Sequence, residues 1–233
     1  MKQIKTKKEI DELCEFIVKA YEGDEYIEKP VNIAGLATNY FKLKVYYVKF
    51  ADSTKERLGC ISNGTSLYRL IYNGKISSYC FPKDTILLDT SLKTDRSRRR
   101  FTLAHEIYHY IDSIINGNQN AYGYNSRLKE EKMYDMKELE ETLSLDEWAA
   151  DRGAAALLMP KGLIYATARA RFSDEGIPVY GSHMMLPEDK KKIQEMADYL
   201  GVSYTALMIR LKELRLFKHH KANEYLTMAM GGD

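Results

Sequence analysis

Residues 105–109 read His-Glu-Ile-Tyr-His, and this short run dictates much of what the chain must build. On an α-helix, residues four apart lie about 40° apart around the axis and about 6 Å apart along it. Both imidazoles can then reach one ion at about 2.0–2.1 Å, the Zn–N distance. The chain must therefore form a helix here, turn a polar face inward and bring a further ligand from elsewhere. Glu106 can approach a water beside the ion and take its proton as that water attacks a peptide carbonyl. With five histidines in 233 residues, chance produces His-Glu-x-x-His about once in a hundred such chains. A single buried histidine is an ordinary core residue, but that reading does not cover two at ligand spacing.

A catalytic zinc takes a third protein ligand and keeps one position open for water. Glu147-Trp148-Ala149-Ala150-Asp151 places two carboxylates at i and i+4 on another helix. Glu147 can ligate. Asp151, one turn on, can accept the second ring N–H of a ligand histidine, fixing its tautomer and raising its basicity. The alanines between them let this helix approach the first. Alone, the segment would read as a solvated acidic helix start. The acidic stretch Glu130 to Glu141 lacks this spacing and reads as a solvated face.

Around these segments the pattern is α+β. Thr6 to Glu9 forms a capping box for a helix over about 7–21, with Ile10, Leu13, Cys14 and Ile17 on one face. Pro30 can open a second helix with Ile33, Leu36, Ala37 and Tyr40 buried. From 43 to 90 the runs LKVYYVKFA, RLGCIS, SLYRLIYN, ISSYCF and TILLDT, punctuated by Asn63-Gly64 and Asn73-Gly74, read as a small antiparallel sheet. Asp95 or Ser97 can cap the helix through about Ile115, with Phe101, Ala104, Tyr108, Ile111 and Ile115 inward. A loop at 116–128, a charged stretch to 146, a helix from Glu147 stopped by Pro160, and a block to about Arg171 follow. The tail reads as two helices in a helix-turn-helix-like pair. Ile193, Met196, Ala197 and Leu200 stripe the first; Tyr204, Leu207, Leu211 and Leu214 stripe the second, capped by Ser203. Arg210, Lys212 and Arg215 are expected to face solvent.

Composition excludes several classes. Lys and Arg number 35 against 33 Asp and Glu, a net charge of +2, so no strong field argues for nucleic acid as the main partner. The basic start, MKQIKTKKEI, has no apolar run behind it and reads as neither signal peptide nor membrane anchor. Cys14, Cys60 and Cys80 are odd in number and far apart. That argues against disulfides and a cysteine-ligated zinc, and fits a reducing cytoplasm.

The segments RSRRRFTLAHEIYH, EWAADRGAAALLMP and MADYLGVSYTALMIRLKELRLF resemble the ImmA/IrrE family of metallopeptidases. The resemblance is tight over about 97–160, looser at 189–217 and faint over the first 90 residues. It implies a zincin-like metallopeptidase domain over 1–172 and a helix-turn-helix-like segment over 187–221. It also implies Zn2+ on His105, His109 and Glu147, with Glu106 as general base; Asp151 falls where the family has Asn or Asp. The implied substrate is a helix-turn-helix repressor of a phage, mobile element or stress regulon. Two positions depart from the family: Tyr108 stands where Gly is usual, and Gly153 where an aromatic precedes the Ala-Ala pair. A zincin-type toxin of a toxin–antitoxin pair is an alternative, and a non-enzymatic DNA- or protein-binding regulator a second one. From Pro187 to Lys221 eight Lys and Arg face five Asp and Glu, a slight excess for phosphate binding, so direct DNA binding is possible but not favoured. The tail is instead expected to dock on the core or recognise the protein substrate. Arg98, Arg99 and Arg100 are expected to pair with the acidic residues of 130–141, or else to meet an acidic stretch of substrate. Tyr122, Tyr124 and His183 remain open as oxyanion stabilisers.

Overall fold

A computed structural model describes residues 6–51, 57–116, 145–172 and 176–230. Helix α1 (Lys7–Glu22) starts at the expected capping box. The Glu9 N–H donates to the Thr6 hydroxyl at 3.3 Å, and the Thr6 N–H donates to the Glu9 carboxylate at 2.7 Å. The helix stops at Gly23, whose φ of 73° suits a residue without Cβ. Helix α2 (Ile33–Gly35) opens not at Pro30 but at Asn32, whose side chain accepts the Gly35 N–H at 3.0 Å. It continues as a π turn (Leu36–Tyr40). The widened turn breaks the 3.6-residue stripe, so Leu36 and Ala37 are buried while Tyr40 stays 41% exposed.

The expectation of one antiparallel sheet needs correction. Strands β1 (Lys44–Val48), β2 (Gly59–Ser62) and β5 (Thr85–Asp89) form a mixed sheet in the order β1-β5-β2. β1 runs parallel to β5 and β2 antiparallel to it. β3 (Leu67–Tyr72) and β4 (Lys75–Cys80) make their own hairpin, turning at Asn73 and Gly74, both at positive φ. Five similar short runs do not reveal which pairs with which. One clue was present: TILLD is a continuous apolar run rather than an alternating one, as a strand covered on both faces requires. Thr85 to Leu88 are indeed buried.

Helix α3 (Arg96–Asn116) carries the two histidines and lies against β2 and β5. Asp95 caps it, accepting the Arg98 N–H at 3.0 Å. Ile115 is 47% exposed, not inward. Helix α4 (Leu145–Leu158) packs on α3 and α1, and α5 (Lys161–Arg169) follows Pro160.

In the tail, α6 (Pro187–Leu200) ends at left-handed Gly201, and Ser203 caps α7 (Tyr204–Glu213) by accepting the Ala206 N–H at 3.1 Å. Both apolar stripes join the cluster that holds Ile10, Ile107 and Leu157, all buried except Tyr204, which is half-buried against it. Two strands escaped the sequence reading. β6 (Ile177–Tyr180) and β7 (Phe217–His220) pair in parallel, and α8 (Ala222–Met230) follows. Each is four residues long, one contains Pro178, and neither alternates cleanly. Arg210 also departs from expectation. It is 1% exposed, because its place three residues after Leu207 and one before Leu211 turns it toward the core, while Lys212 and Arg215 remain exposed. Among the described residues no helix is long and apolar enough to cross a membrane.

Candidate metal centre

One turn of helix separates His105 from His109, and burial of that face brings both rings to the inner end of α4. Their Nε2 atoms are 3.0 Å apart. Glu147, in the first turn of α4, places one carboxylate oxygen 3.3 Å from His105 Nε2 and the other 3.4 Å from His109 Nε2. The three side chains are buried, and their ligand atoms lie within 4.8 Å of one another. Asp151, one turn along α4, meets the far nitrogen of His105 at 3.0 Å. With the Asp151 carboxylate accepting the Nδ1–H, the His105 Nε2 lone pair points toward His109 and Glu147.

Charge follows the geometry. Burial alone would lower the pKa of His105, but hydrogen bonds and charge from Asp151 and Glu147 outweigh it and raise it to about 10. Burial alone would raise Glu147, but its hydrogen bonds to both histidines hold it down at about 2. Burial pushes Asp151 above the ordinary aspartate range despite the opposing pull of His105. Glu106 is also raised, first by burial. It is 2% exposed, and its Oε1 has no hydrogen-bond partner among the described residues. A buried, unsatisfied carboxylate oxygen beside two nitrogens and a carboxylate in mutual contact is what a polar visitor to this site would complete.

The donor set fits a metal ion. Two imidazoles and one carboxylate converging on a single point suit a borderline divalent ion such as zinc, with His105 already oriented by an outer carboxylate.

Gly59 is a feature that sequence reasoning missed. A Cβ there would lie 2.6 Å from Thr102 Cγ2 and 3.1 Å from Glu106 Oε1, so only glycine lets β2 approach the helix beside Glu106. An isolated glycine inside a strand pattern is the signal for such close backbone approach.

The two positions singled out in the sequence as departures, Tyr108 and Gly153, lie against each other. Tyr108 is 1% exposed, and its ring lies directly over the backbone of Gly153; any Cβ at Gly153 would overlap the ring carbons. The Tyr108 ring fills the space between α3 and α4 that a side chain at 153 would need.

Other candidates fall elsewhere. Tyr122, Tyr124 and the acidic residues of 130–141 lie outside the described residues. His183 is exposed in the turn after β6. Of the three arginines, Arg100 turns inward to the Val31 carbonyl at 3.0 Å, Arg99 bonds the Lys93 carbonyl at 3.1 Å and Arg98 is exposed.

The group formed by α3 and α4 is thus one that can hold a divalent metal. The family model of the IrrE N-terminal-like domain, Peptidase_M78, matches residues 67–212, more than half the chain, and the chain belongs to this family of metallopeptidases. The match includes His105, His109 and Glu147. It begins after β2, so α1 and the Gly59 strand lie outside it. No curated protein matches the chain.

Proposed function

We propose that the chain is a zinc-dependent endopeptidase with a zincin-like catalytic core. The observation that carries this is the convergence of His105, His109 and Glu147 at one buried point, with the unsatisfied Glu106 carboxylate beside it. These three residues would hold Zn2+, which supplies Lewis acidity to the attacking water and the scissile carbonyl. Glu106 takes a proton from the water as its oxygen bonds to the carbonyl carbon, and passes it to the amine nitrogen as the C–N bond breaks. Burial raises its pKa, which makes it a better base than an exposed glutamate. Asp151 holds the His105 Nδ1–H, so that Nε2 remains the donor.

The substrate we propose is a cytoplasmic helix-turn-helix repressor, on the strength of the family resemblance. Residues 1–172 would carry the chemistry, and the helix-turn-helix-like segment 187–221 would act in docking rather than in reading DNA. The buried Arg210 supports that, since it removes one of the three cations expected at the surface of α7 and the turn after it. Incubating the protein with the product of its neighbouring gene tests the proposal. Zinc-dependent fragments that vanish with Glu106→Gln are expected. An intact repressor beside a zinc-loaded enzyme would overturn the substrate assignment, and a small antitoxin that blocks the site would favour the toxin reading.

A further inference from the structure

The helix bearing Glu147 and Asp151 is gripped from behind by a charge network that reaches the tail, and we propose that Arg152 and its partners Asp11 and Glu213 are positioning residues for the metal centre. The inference rests on the metal reading above.

Arg152 follows Asp151 in α4 and lies about 140° around the helix from Glu147, so it leaves the side away from the histidines. It is 8% exposed. Its Nη2 donates to Asp11 Oδ2 on α1 at 2.6 Å, and its Nη1 donates to the Glu213 carboxylate at the end of α7. The other oxygen of Asp11 accepts from Arg210 Nη1 at 2.9 Å, and Arg210 Nε donates to the Met159 carbonyl at 3.1 Å, just past the end of α4. α4 is therefore held in its middle by Arg152 and at its C-terminal end by Arg210. Both arginines share Asp11.

Stability alone is a poor reason for this network. Replacing a buried ion pair with apolar groups of similar volume is often neutral or stabilising. Paired directional bonds do what apolar packing does not: a guanidinium donating to two fixed carboxylates sets both the rotation and the height of its helix. The front of α4 needs such control. Gly153 lies against a ring that fills the gap to α3, and Glu147 must meet two histidines whose Nε2 atoms are 3.0 Å apart. A slip of α4 along its axis would separate Glu147 from the histidines and Asp151 from His105 together. Through Glu213 and Arg210 the tail becomes part of the support of the metal centre.

The test is zinc affinity of the full chain, stripped of metal and titrated against a competing chelator, at a temperature where circular dichroism shows each metal-free variant folded. Arg152→Met is expected to weaken zinc binding about 10-fold or more, the size of effect that loss of ligand support has elsewhere. Glu213→Gln, which removes only the tail's carboxylate, is expected to weaken it less. Arg152→Lys should recover part of the Arg152→Met loss. Glu12→Gln, an exposed change on α1, serves as the control and should leave affinity unchanged. Folded Arg152→Met and Glu213→Gln proteins with wild-type zinc affinity, however far their melting temperatures fall, overturn the inference and make the network a purely structural one. If Arg152→Met does not fold, Glu213→Gln and Arg152→Lys decide in the same way. A wild type that takes up no zinc overturns the metal reading itself, and the positioning role with it.

Discussion

Gly153 sits inside a helix, where glycine costs about 1 kcal/mol relative to alanine, and its neighbours explain why it is there. The Tyr108 ring is fully buried and cannot swing aside for a methyl group. Gly153→Ala therefore gains about 1 kcal/mol of helix propensity and loses about 3 kcal/mol to overpacking, the upper end of the usual range. The net expectation is a loss of about 2 kcal/mol. Tyr108→Ala alone removes a buried ring and should cost about 3–5 kcal/mol. In that background the obstacle to Gly153→Ala is gone, so the same substitution should stabilise by about 1 kcal/mol. The coupling between the two sites is then about 3 kcal/mol, the upper end of what contacting residues show. Urea unfolding of the four metal-free proteins measures it, with unchanged m-values as the check that the unfolded states are comparable. If the two substitutions add to within about 0.5 kcal/mol, Tyr108 and Gly153 do not share one volume, and the steric reason given for the glycine is wrong.

Further outcomes concern the metal and its base. Glu106→Gln should retain zinc and lose about 10²–10⁴-fold in cleavage rate, because the amide keeps the shape but cannot take the proton; comparable cleavage would remove Glu106 from its role. His109→Ala and Glu147→Ala should each fail to retain zinc in metal analysis, and full occupancy in either would discredit the ligand set. Asp151→Ala should be milder, about 10–100-fold in zinc affinity, through loss of the bond that orients His105. The pH dependence has opposite signs with and without metal. In metal-stripped protein His105 is raised from 6.5 to about 10, so its stabilising contribution is complete below about pH 6.5 and is lost as pH rises through about 10. Glu147 is lowered from 4.5 to about 2, so its contribution is present above about pH 4.5 and is lost as pH falls through about 2. Chemical denaturation should therefore show the metal-free protein losing stability from pH 6.5 toward 10. Zinc affinity should rise over the same interval, since the imidazole proton must leave before the metal enters. A pH-independent affinity there would argue against histidine ligation.

The sequence made the candidate metal ligands legible because their chemistry is local. His105 and His109 are brought together by one helical turn, and Glu147 and Asp151 by another, so spacing alone reports the shared face. The same logic found the capping box at Thr6 and the apolar stripes of α6 and α7. What stayed hidden depends on which distant segment supplies the other side. β1 and β5 pair in parallel across one intervening strand and a hairpin, and nothing in either run names its partner. The charge of Arg210 argues for solvent, whereas its position beside Leu207 and Leu211 places it on the buried face. What keeps it there is Asp11, about two hundred residues earlier in the chain. Tyr108 and Gly153 make the point most sharply. Each read alone as a defect in a family pattern, a bulky group beside a metal and a missing aromatic. Only the approach of α3 to α4 shows that the two fit each other, the Tyr108 ring occupying the space that a side chain at 153 would need.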